Sequence, residues 1–187
     1  SQGVAFASKI ENIPCTIVMP KTASPAKVAA TKGYGANVVL EGITYDESWA
    51  YAQKIAKETG ATIIHAFDDL HVIAGQGVIG LEIIEELPDL DEIYVPIGGG
   101  GLVAGIITAI KEKNPNVKII GVESNAYPAM KKSLESKSLE TVEGKMTIAD
   151  GISVKTPGKL TFDIVKQKID KIVTVDDSDI INAMFLL

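Results

Sequence analysis

Four consecutive glycines, Gly98 to Gly101, lie in the stretch VPIGGGGLVAG between two apolar segments. Residues 92–97 have the composition of a β-strand, and residues 102–113 have the apolar pattern of a helix. Glycines lack the Cβ atom that would keep a ligand at a distance, and they tolerate positive φ angles. Successive backbone N–H groups at the start of a helix attract an anion. The sequence therefore predicts an anion-binding loop and not a flexible linker.

A dinucleotide site is the rival interpretation of the same glycines. Gly99, Gly101 and Ala104 satisfy the relaxed G-x-G-x-x-A fingerprint, and Glu123 ends the next predicted strand about 20 residues later, where a ribose-binding acid belongs. An NAD(P)-binding oxidoreductase domain therefore stays open on the pattern alone. The alternative role for Glu123 is that of a strand-end carboxylate capping a neighbouring turn.

A second glycine pattern, G-x-G-x-x-G, runs without mismatch from Gly75 to Gly80. This fingerprint binds phosphate only where a strand leads into the first glycine and a helix begins after it. Here the apolar residues at positions 73, 78, 81, 84 and 87 predict one helix running straight through. We expect its small residues to let this helix pack tightly on the sheet.

The composition limits the classes of partner. The net charge is −6, and all 18 basic residues are lysines. Without arginine or a basic stripe, nucleic-acid binding is not expected, and a bound phosphate must be held by backbone N–H, hydroxyl or ammonium groups. No apolar run has the length of a membrane helix, so we expect no membrane partner and a cytoplasmic location. The single cysteine, Cys15, and the two histidines lack metal-ligand spacing, and no metal site is predicted.

Short Val- and Ile-rich segments alternate with helical patterns along the chain. Strands are predicted at residues 16–19, 37–40, 62–66, 92–97, 118–123 and 171–175, and helices at residues 25–32, 46–59, 72–87, 102–113 and 127–136. Further helices are predicted at the two ends of the chain, the last one opened by the acidic residues 176–180. Buried strands separated by helices predict an α/β fold with parallel sheet covered on both sides.

The stretch FDDLH, residues 67–71, is the candidate boundary between two lobes. We expect a small lobe over residues 1–66 and a larger lobe, which contains the glycines, over residues 67–187. Asp46 is the expected N-cap of the helix at 46–59, and Gly60 its stop signal. Residues 125–165 have the least regular pattern, which suits a long functional loop. Both chain ends fall inside predicted helices, which predicts an internal fragment of a longer protein.

Several stretches match a known family in the same order. They are SQGVAFAS, TIVMP, SPAKVAATKGYGANVVL, VIAGQGVIGLEI, VPIGGGGLVAGI, IIGVES and IADGISV. Together they resemble the fold type II pyridoxal-phosphate enzymes, which are tryptophan synthase β-like. Within that family the chain is most similar to the threonine dehydratases (threonine ammonia-lyases), with the serine dehydratases and serine racemases close to them. The resemblance covers essentially the whole chain.

The resemblance implies a pyridoxal 5′-phosphate whose phosphate is held by main-chain N–H groups of the glycine loop, with Gly151 beside the pyridine ring. The implied phosphate ligands are Gly98, Gly99, Gly100, Gly101 and Leu102. The implied reaction is dehydration and deamination of L-threonine, and of L-serine as the alternative substrate, to a 2-oxo acid and ammonia. A homo-oligomer and a role in isoleucine biosynthesis are implied as well.

Three features of the family pattern have no match here. The Schiff-base lysine, expected in the context S-F-K-x-R-G-A, would lie upstream of Ser1, so no catalytic residue is assigned within this chain and the chain alone is expected to be inactive. The serine or threonine that meets the pyridine nitrogen would lie past Leu187. Racemase-like members use a metal-binding Glu and Asp. Glu123 matches the first, but Ala129 stands where the Asp is expected, which disfavours a racemase and a divalent-ion site.

Overall fold

The computed structural model describes residues 1–187, which form two compact units, Ser1–Ile64 and His65–Leu187. The first unit contains α1 (Gln2–Ile10), β1 (Thr16–Met19), α2 (Pro25–Gly33), β2 (Asn37–Leu40) and α3 (Tyr45–Thr59). Its two strands pair in parallel, with Thr16 opposite Asn37. Strand, helix and strand thus alternate as the apolar pattern predicts.

The second unit contains a three-stranded parallel sheet in the order β3-β4-β5. Its elements are α4 (Leu70–Glu86), β3 (Glu92–Pro96), α5 (Gly101–Lys113), β4 (Lys118–Ser124), α6 (Ala129–Ser136), a short 3-10 helix (Asp150–Ile152), α7 (Lys159–Lys168), β5 (Lys171–Val175) and α8 (Asp177–Leu186). No helix of the chain combines the length and the apolar composition needed to cross a bilayer. The predicted α/β class with parallel sheet is confirmed.

The ends of α3 show which local signals the sequence reveals. Gly60 ends the helix in the left-handed region, with φ 71°, as predicted. The expectation that Asp46 is the N-cap is wrong, because Thr44 holds that position. The Oγ1 of Thr44 accepts the Glu47 N–H, and the Glu47 carboxylate accepts the Thr44 N–H in return. This reciprocal capping box leaves Asp46 in the first turn of the helix.

Two segments differ from the sequence-based prediction. No strand forms at residues 62–66; the backbone instead turns at His65, whose Nδ1 accepts the N–H groups of Phe67 and Asp68. Helix α7 is not predicted at all, because most of its segment lies within the irregular residues 125–165. The other strands and helices begin and end within two residues of their predicted bounds.

Helix α5 forms the centre of the core of the second unit. Its residues Val103, Ile107 and Ile110 are fully buried, together with Val95 of β3 and Ile119 of β4. Helices α4 and α7 and strand β3 pack against it. The first half of α5, residues 101–107, is almost entirely buried, and this enclosure by other elements fixes the position of its N-terminus relative to the sheet.

The G-x-G-x-x-G pattern lies inside the single helix α4, as predicted. The expected packing partner is wrong, however, because Gly77 and Gly80 face α5 and not the sheet, while Gly75 is exposed. A Cβ atom on Gly77 would lie 3.2 Å from the carbonyl oxygen of Gly105, and one on Gly80 would lie 3.1 Å from that of Ile106. These glycines therefore allow two helix backbones to approach each other, and they do not form a phosphate-binding turn.

Candidate functional site

The glycine loop lies at the carboxyl end of β3, on the side of a parallel sheet at which ligands bind. The last ladder bond runs from the Ile97 N–H to the Val122 carbonyl oxygen, at 2.8 Å. Residues 98–100 then form the loop, and α5 begins at Gly101. Gly100 has φ +95°, a conformation that side-chain-bearing residues rarely adopt. The chain thus turns from strand to helix within three glycines.

The backbone N–H groups of residues 98–103 have no hydrogen-bond acceptor in the structure. The first bonded N–H of α5 is that of Ala104, which donates to the Gly100 carbonyl at 2.9 Å. Gly99, Gly100 and Gly101 are buried. Every α-helix leaves its first N–H groups without an internal acceptor, but here the run of free donors extends back through the buried Gly99 and Gly100. Six adjacent free donors suit a ligand with several acceptor atoms.

Three neighbouring helices have acidic side chains at their N-termini. Asp69 accepts N–H groups of the first turn of α4, Glu123 those of α6, and Asp68 those of α7, all at 2.8 to 3.2 Å. Each carboxylate satisfies free donors and the positive end of the helix dipole. No carboxylate accepts from the start of α5. The charge arrangement at α5 therefore suits an external anion.

The protein's own packing explains why the loop consists of glycines. A Cβ atom on Gly99 would lie 2.4 Å from ring atoms of Phe67, and one on Gly101 would lie 2.9 Å from the Phe67 Cβ. A Cβ atom on Gly98 would lie 3.0 Å from the Ile152 Cα. On these sides, the missing Cβ atoms make room for protein atoms and not for a ligand. A ligand can therefore contact the loop through its N–H groups.

The loop is held from behind by the start of α7. The Gly99 carbonyl oxygen accepts the Thr161 hydroxyl at 2.6 Å and the Gly158 N–H at 3.1 Å. Asp68 in turn accepts three N–H groups of the first turn of α7. These residues were not predicted as part of the site, because α7 was not predicted from the sequence. Gly158, followed by the helical apolar pattern of residues 159–168, was the signal that identifies this helix start.

The predicted phosphate ligands, Gly98 to Leu102, form one continuous loop that includes the first turn of α5. Gly151 lies in the 3-10 helix, is exposed, and would place a Cβ atom in open space. Its neighbour Ile152 contacts Gly98. The structure thus places the IADGIS stretch against the start of the glycine loop. The cofactor contacts assigned to these six residues stay predictions.

The segment leading to Gly151 is fixed by a polar cluster at the start of α8. The Thr147 hydroxyl donates to one carboxylate oxygen of Asp177, and the Ile148 N–H donates to the other at 3.1 Å. Ser124, at the end of β4, lies 3.4 Å from the Thr147 hydroxyl. The end of β4 and the start of α8 therefore both contribute to positioning the loop that contacts Gly98.

Glu123 is fully buried at the end of β4. Its carboxylate accepts the N–H groups of Met130 and Lys131, at 2.8 and 2.9 Å. Burial raises its pKa to about 7, while the two N–H groups act in the opposite direction. The sequence left two roles open for Glu123, a ribose-binding acid and a cap of a neighbouring turn. The structure shows it as the cap of the start of α6. Ala129, which is also buried, brings no carboxylate to this position.

His65 serves as a hydrogen-bond acceptor at the turn before α4. Its Nδ1 lies 3.2 Å from the Phe67 nitrogen and 2.8 Å from the Asp68 nitrogen, so this atom must be unprotonated. Burial lowers the pKa of His65, and the nearby Asp68 and Asp69 act to raise it. Its ring also packs edge-on against Phe67, with centroids 4.6 Å apart. His65 thus shapes the segment that covers the glycine loop.

Comparison with known proteins gives a consistent match. The family model described as pyridoxal-phosphate dependent enzyme matches residues 1–187. The L-threonine ammonia-lyase of Thermotoga maritima is 51% identical over all 187 residues, which cover 47% of its length. The L-threonine dehydratase catabolic TdcB of Staphylococcus aureus is 47% identical over 98% of this chain and 53% of its own. The chain thus spans about half the length of these curated relatives.

Solved structures of similar proteins have the same fold as this chain. Maize serine racemase superposes with a TM-score of 0.93 at 34% identity, over 99% of this chain and 56% of its own. The processed form of threonine deaminase isoform 2 from Solanum lycopersicum superposes with a TM-score of 0.87 at 40% identity, over 94% of this chain and 48% of its own. The fold type and the similarity to threonine ammonia-lyases that the sequence stretches indicated are both confirmed.

Proposed function

Because the chain belongs to the family of pyridoxal-phosphate-dependent enzymes, we propose that the whole protein is an L-threonine ammonia-lyase. It converts L-threonine, and L-serine as a second substrate, to a 2-oxo acid and ammonia. The geometry that supports the cofactor is the run of six N–H groups without an acceptor at the start of α5. The identity of about half of all residues to those of L-threonine ammonia-lyases supports the substrate.

The glycine loop fits the phosphate group of this cofactor. A phosphate monoester has up to two negative charges and three terminal oxygens, each of which accepts more than one hydrogen bond. Six adjacent N–H groups and the positive end of a buried helix complement both properties. Residues 1–187 contain no arginine, so within this chain backbone groups supply most of the recognition. Gly98, Gly99, Gly100, Gly101 and Leu102 would hold the phosphate, with Gly151 beside the ring.

When bound, pyridoxal phosphate supplies the electron sink that accepts the electron pair left when the substrate α-proton is removed. The residues of this chain hold and orient it. The loop fixes the phosphate, the Phe67 ring closes the side of the loop at Gly99, and Thr161 and Gly158 hold the Gly99 carbonyl. We place the lysine that carries the cofactor outside residues 1–187, because no lysine here has the required sequence context.

Serine racemase is the second candidate, since maize serine racemase has the same fold. The residues at the end of β4 disfavour it. The Glu123 carboxylate is occupied by two backbone N–H groups, and Ala129 provides no second acid. The dinucleotide alternative is disfavoured as well, because the Glu123 carboxylate is fully buried and faces α6, where a ribose does not reach it.

We further propose that the protein acts in the cytoplasm as a homo-oligomer on a free amino acid. The 2-oxobutanoate formed from threonine suits the role in isoleucine biosynthesis that the sequence resemblance implies, whereas the Staphylococcus aureus relative is named catabolic. Size-exclusion chromatography with light scattering measures the assembly. A monomer at micromolar concentration would contradict the oligomer.

The test of the activity uses the whole protein. Purified enzyme should absorb in the visible range until borohydride removes the band, and should form 2-oxobutanoate from L-threonine and pyruvate from L-serine. The matched control is Gly75→Ala, a helical position at which a Cβ meets no atom within 4 Å. It should retain full activity. Release of D-serine without 2-oxo acid, or tight NADH binding without the visible band, would contradict the proposal.

A further inference from the structure

We propose that Thr161 is a positioning residue that aims the N–H groups of the glycine loop at the cofactor phosphate, and that Asp68 holds Thr161 in place. This inference rests on the proposed function, because it assigns a role toward the same phosphate. Neither residue lies in the glycine motif, and they are separated from each other by most of the second unit in sequence. The proposal follows from the hydrogen bonds of one peptide group.

The peptide group between Gly99 and Gly100 is anchored on its carbonyl side. The Gly99 oxygen accepts the Thr161 hydroxyl at 2.6 Å and the Gly158 N–H at 3.1 Å. In a planar trans peptide, the C=O and N–H bonds point in opposite directions. Because the carbonyl is drawn toward α7, the Gly100 N–H must point away from α7. Thr161 thereby sets the direction of a donor that it does not touch.

The next peptide group is anchored in the same way by α5 itself. The Gly100 carbonyl accepts the Ala104 N–H at 2.9 Å, so the Gly101 N–H points out of the helix start. The left-handed φ of Gly100 joins these two orientations. A glycine loop without such anchors samples many φ and ψ values. Two anchored carbonyls restrict its donors to one arrangement, and only the first depends on a side chain.

Thr161 is well placed for this role. It is fully buried, and its hydroxyl has two acceptors, the Gly99 oxygen at 2.6 Å and the Gly158 oxygen at 3.1 Å. The bond to Gly158 is local to the start of α7, whereas the shorter bond spans 62 residues to the loop. A hydroxyl that served α7 alone would not need the contact with Gly99.

Asp68 fixes the first turn of α7, and therefore the position of Thr161. Its Oδ1 accepts the Leu160 and Thr161 N–H groups at 2.8 and 3.2 Å, and its Oδ2 accepts the Lys159 N–H at 3.0 Å. A Cβ atom on Gly158 would lie 2.2 Å from Asp68 Oδ1, so the Asp68 side chain lies directly against the backbone of Gly158. A carboxylate that binds three N–H groups in a helix start holds it more firmly than a neutral side chain would.

The experiment compares two ligands that differ only in the phosphate. The apo form of the whole protein is titrated with pyridoxal 5′-phosphate and with pyridoxal, for the wild type and for Thr161→Val and Thr161→Ser. We expect Thr161→Val to weaken the binding of pyridoxal phosphate about tenfold or more, which is equivalent to ~1.4 kcal/mol. The binding of pyridoxal should weaken less than about twofold. Thr161→Ser, which keeps the hydroxyl, should stay near the wild type for both ligands.

Other results overturn the inference. Unchanged affinity of Thr161→Val for pyridoxal phosphate, or an equal loss for both ligands, would show that the hydroxyl does not act through the phosphate. If Thr161→Val does not fold, Asp68→Asn carries the test. It keeps one oxygen acceptor at α7. It should weaken the binding of pyridoxal phosphate more than that of pyridoxal, by a smaller factor than Thr161→Val does. If the wild type itself binds no pyridoxal phosphate, the proposed function fails and the inference fails with it.

Discussion

The main chains of α4 and α5 touch at Gly77 and Gly105, where a Cβ atom on Gly105 would lie 2.6 Å from the Gly77 nitrogen and 2.4 Å from the Ile73 oxygen. Helices with ordinary side chains at their contact lie about 8–10 Å apart, and glycines at the crossing point permit a closer approach. This contact lies one turn along α5 from the glycine loop. It therefore helps to set where the helix start points.

Gly105→Ala should destabilise the protein, because the added methyl group would overlap two backbone atoms that cannot move independently. We expect a loss of about 1–3 kcal/mol or more in the free energy of unfolding, measured by urea denaturation. Gly75→Ala, on α4 but exposed and without neighbours within 4 Å, should instead gain about 0.5–1 kcal/mol. Equal stability of the two variants would contradict the close helix contact.

The turn at His65 should make the protein sensitive to acid. The folded state holds His65 neutral, and burial lowers its pKa below the ordinary value of 6.5. Below about pH 6.5 the unfolded state binds a proton that the folded state does not, so stability falls as the pH falls through this window and toward the folded pKa.

His65→Asn tests this origin, because the Asn Oδ1 can accept the same two N–H groups and does not titrate. The loss of stability between pH 7 and pH 5, measured by thermal unfolding, should be smaller in the variant than in the wild type. An identical pH dependence would show that another group is responsible. Lys54→Gln, at an exposed position of α3, serves as a control for the effect of removing a basic side chain.

Glu123 should produce the opposite pH dependence. Its pKa is about 7 in the folded protein and 4.5 when unperturbed, so between these values the folded state retains a proton that the unfolded state has lost. The contribution of Glu123 to stability therefore decreases as the pH rises from about 4.5 to about 7, with a slope of at most ~1.4 kcal/mol per pH unit.

Glu123→Gln removes the titration and keeps one oxygen acceptor for the N–H groups of α6. Denaturation at several pH values should show a higher stability of the variant relative to the wild type at pH 8 than at pH 5. A constant difference across this range would contradict the raised pKa. The His65 variant, which responds in the opposite direction, is the matched comparison.

Gly99→Ala should displace the glycine loop. Its Cβ would lie 2.4 Å from the Phe67 ring, so either the ring or the loop must shift. We expect the affinity for pyridoxal phosphate to fall at least about tenfold, together with a loss of roughly 1–3 kcal/mol in stability. Spectroscopic titration of the apo protein measures the first effect. Wild-type affinity in this variant would show that Phe67 does not restrain the loop.

The sequence predicted the elements whose signals are local. The five strands and most of the helices around them follow from runs of Val and Ile and from the 3.6-residue apolar period. The end of α3 follows from Gly60. The start of the same helix was assigned to Asp46 because two acceptable capping residues lie within three positions. Only the reciprocal bonds between Thr44 and Glu47 select between them.

The errors concern segments whose conformation depends on distant partners. Residues 62–66 have the composition of a strand but no neighbouring strand to pair with, and the side chain of His65 turns the backbone instead. Helix α7 follows an irregular stretch of sequence, and its first turn is completed by Asp68, more than 90 residues away in sequence. Local propensity contains no information about such contacts.

The sequence by itself determined the family, the α/β class and the glycine loop between strand and helix, because ordered motifs and a glycine run are properties of neighbouring residues. Only the tertiary structure decided what surrounds that loop. It placed Phe67 behind Gly99, joined Thr161 to the Gly99 carbonyl, and turned Glu123 toward α6. These contacts depend on how helices pack on the sheet, and packing brings together residues that no sequence spacing relates.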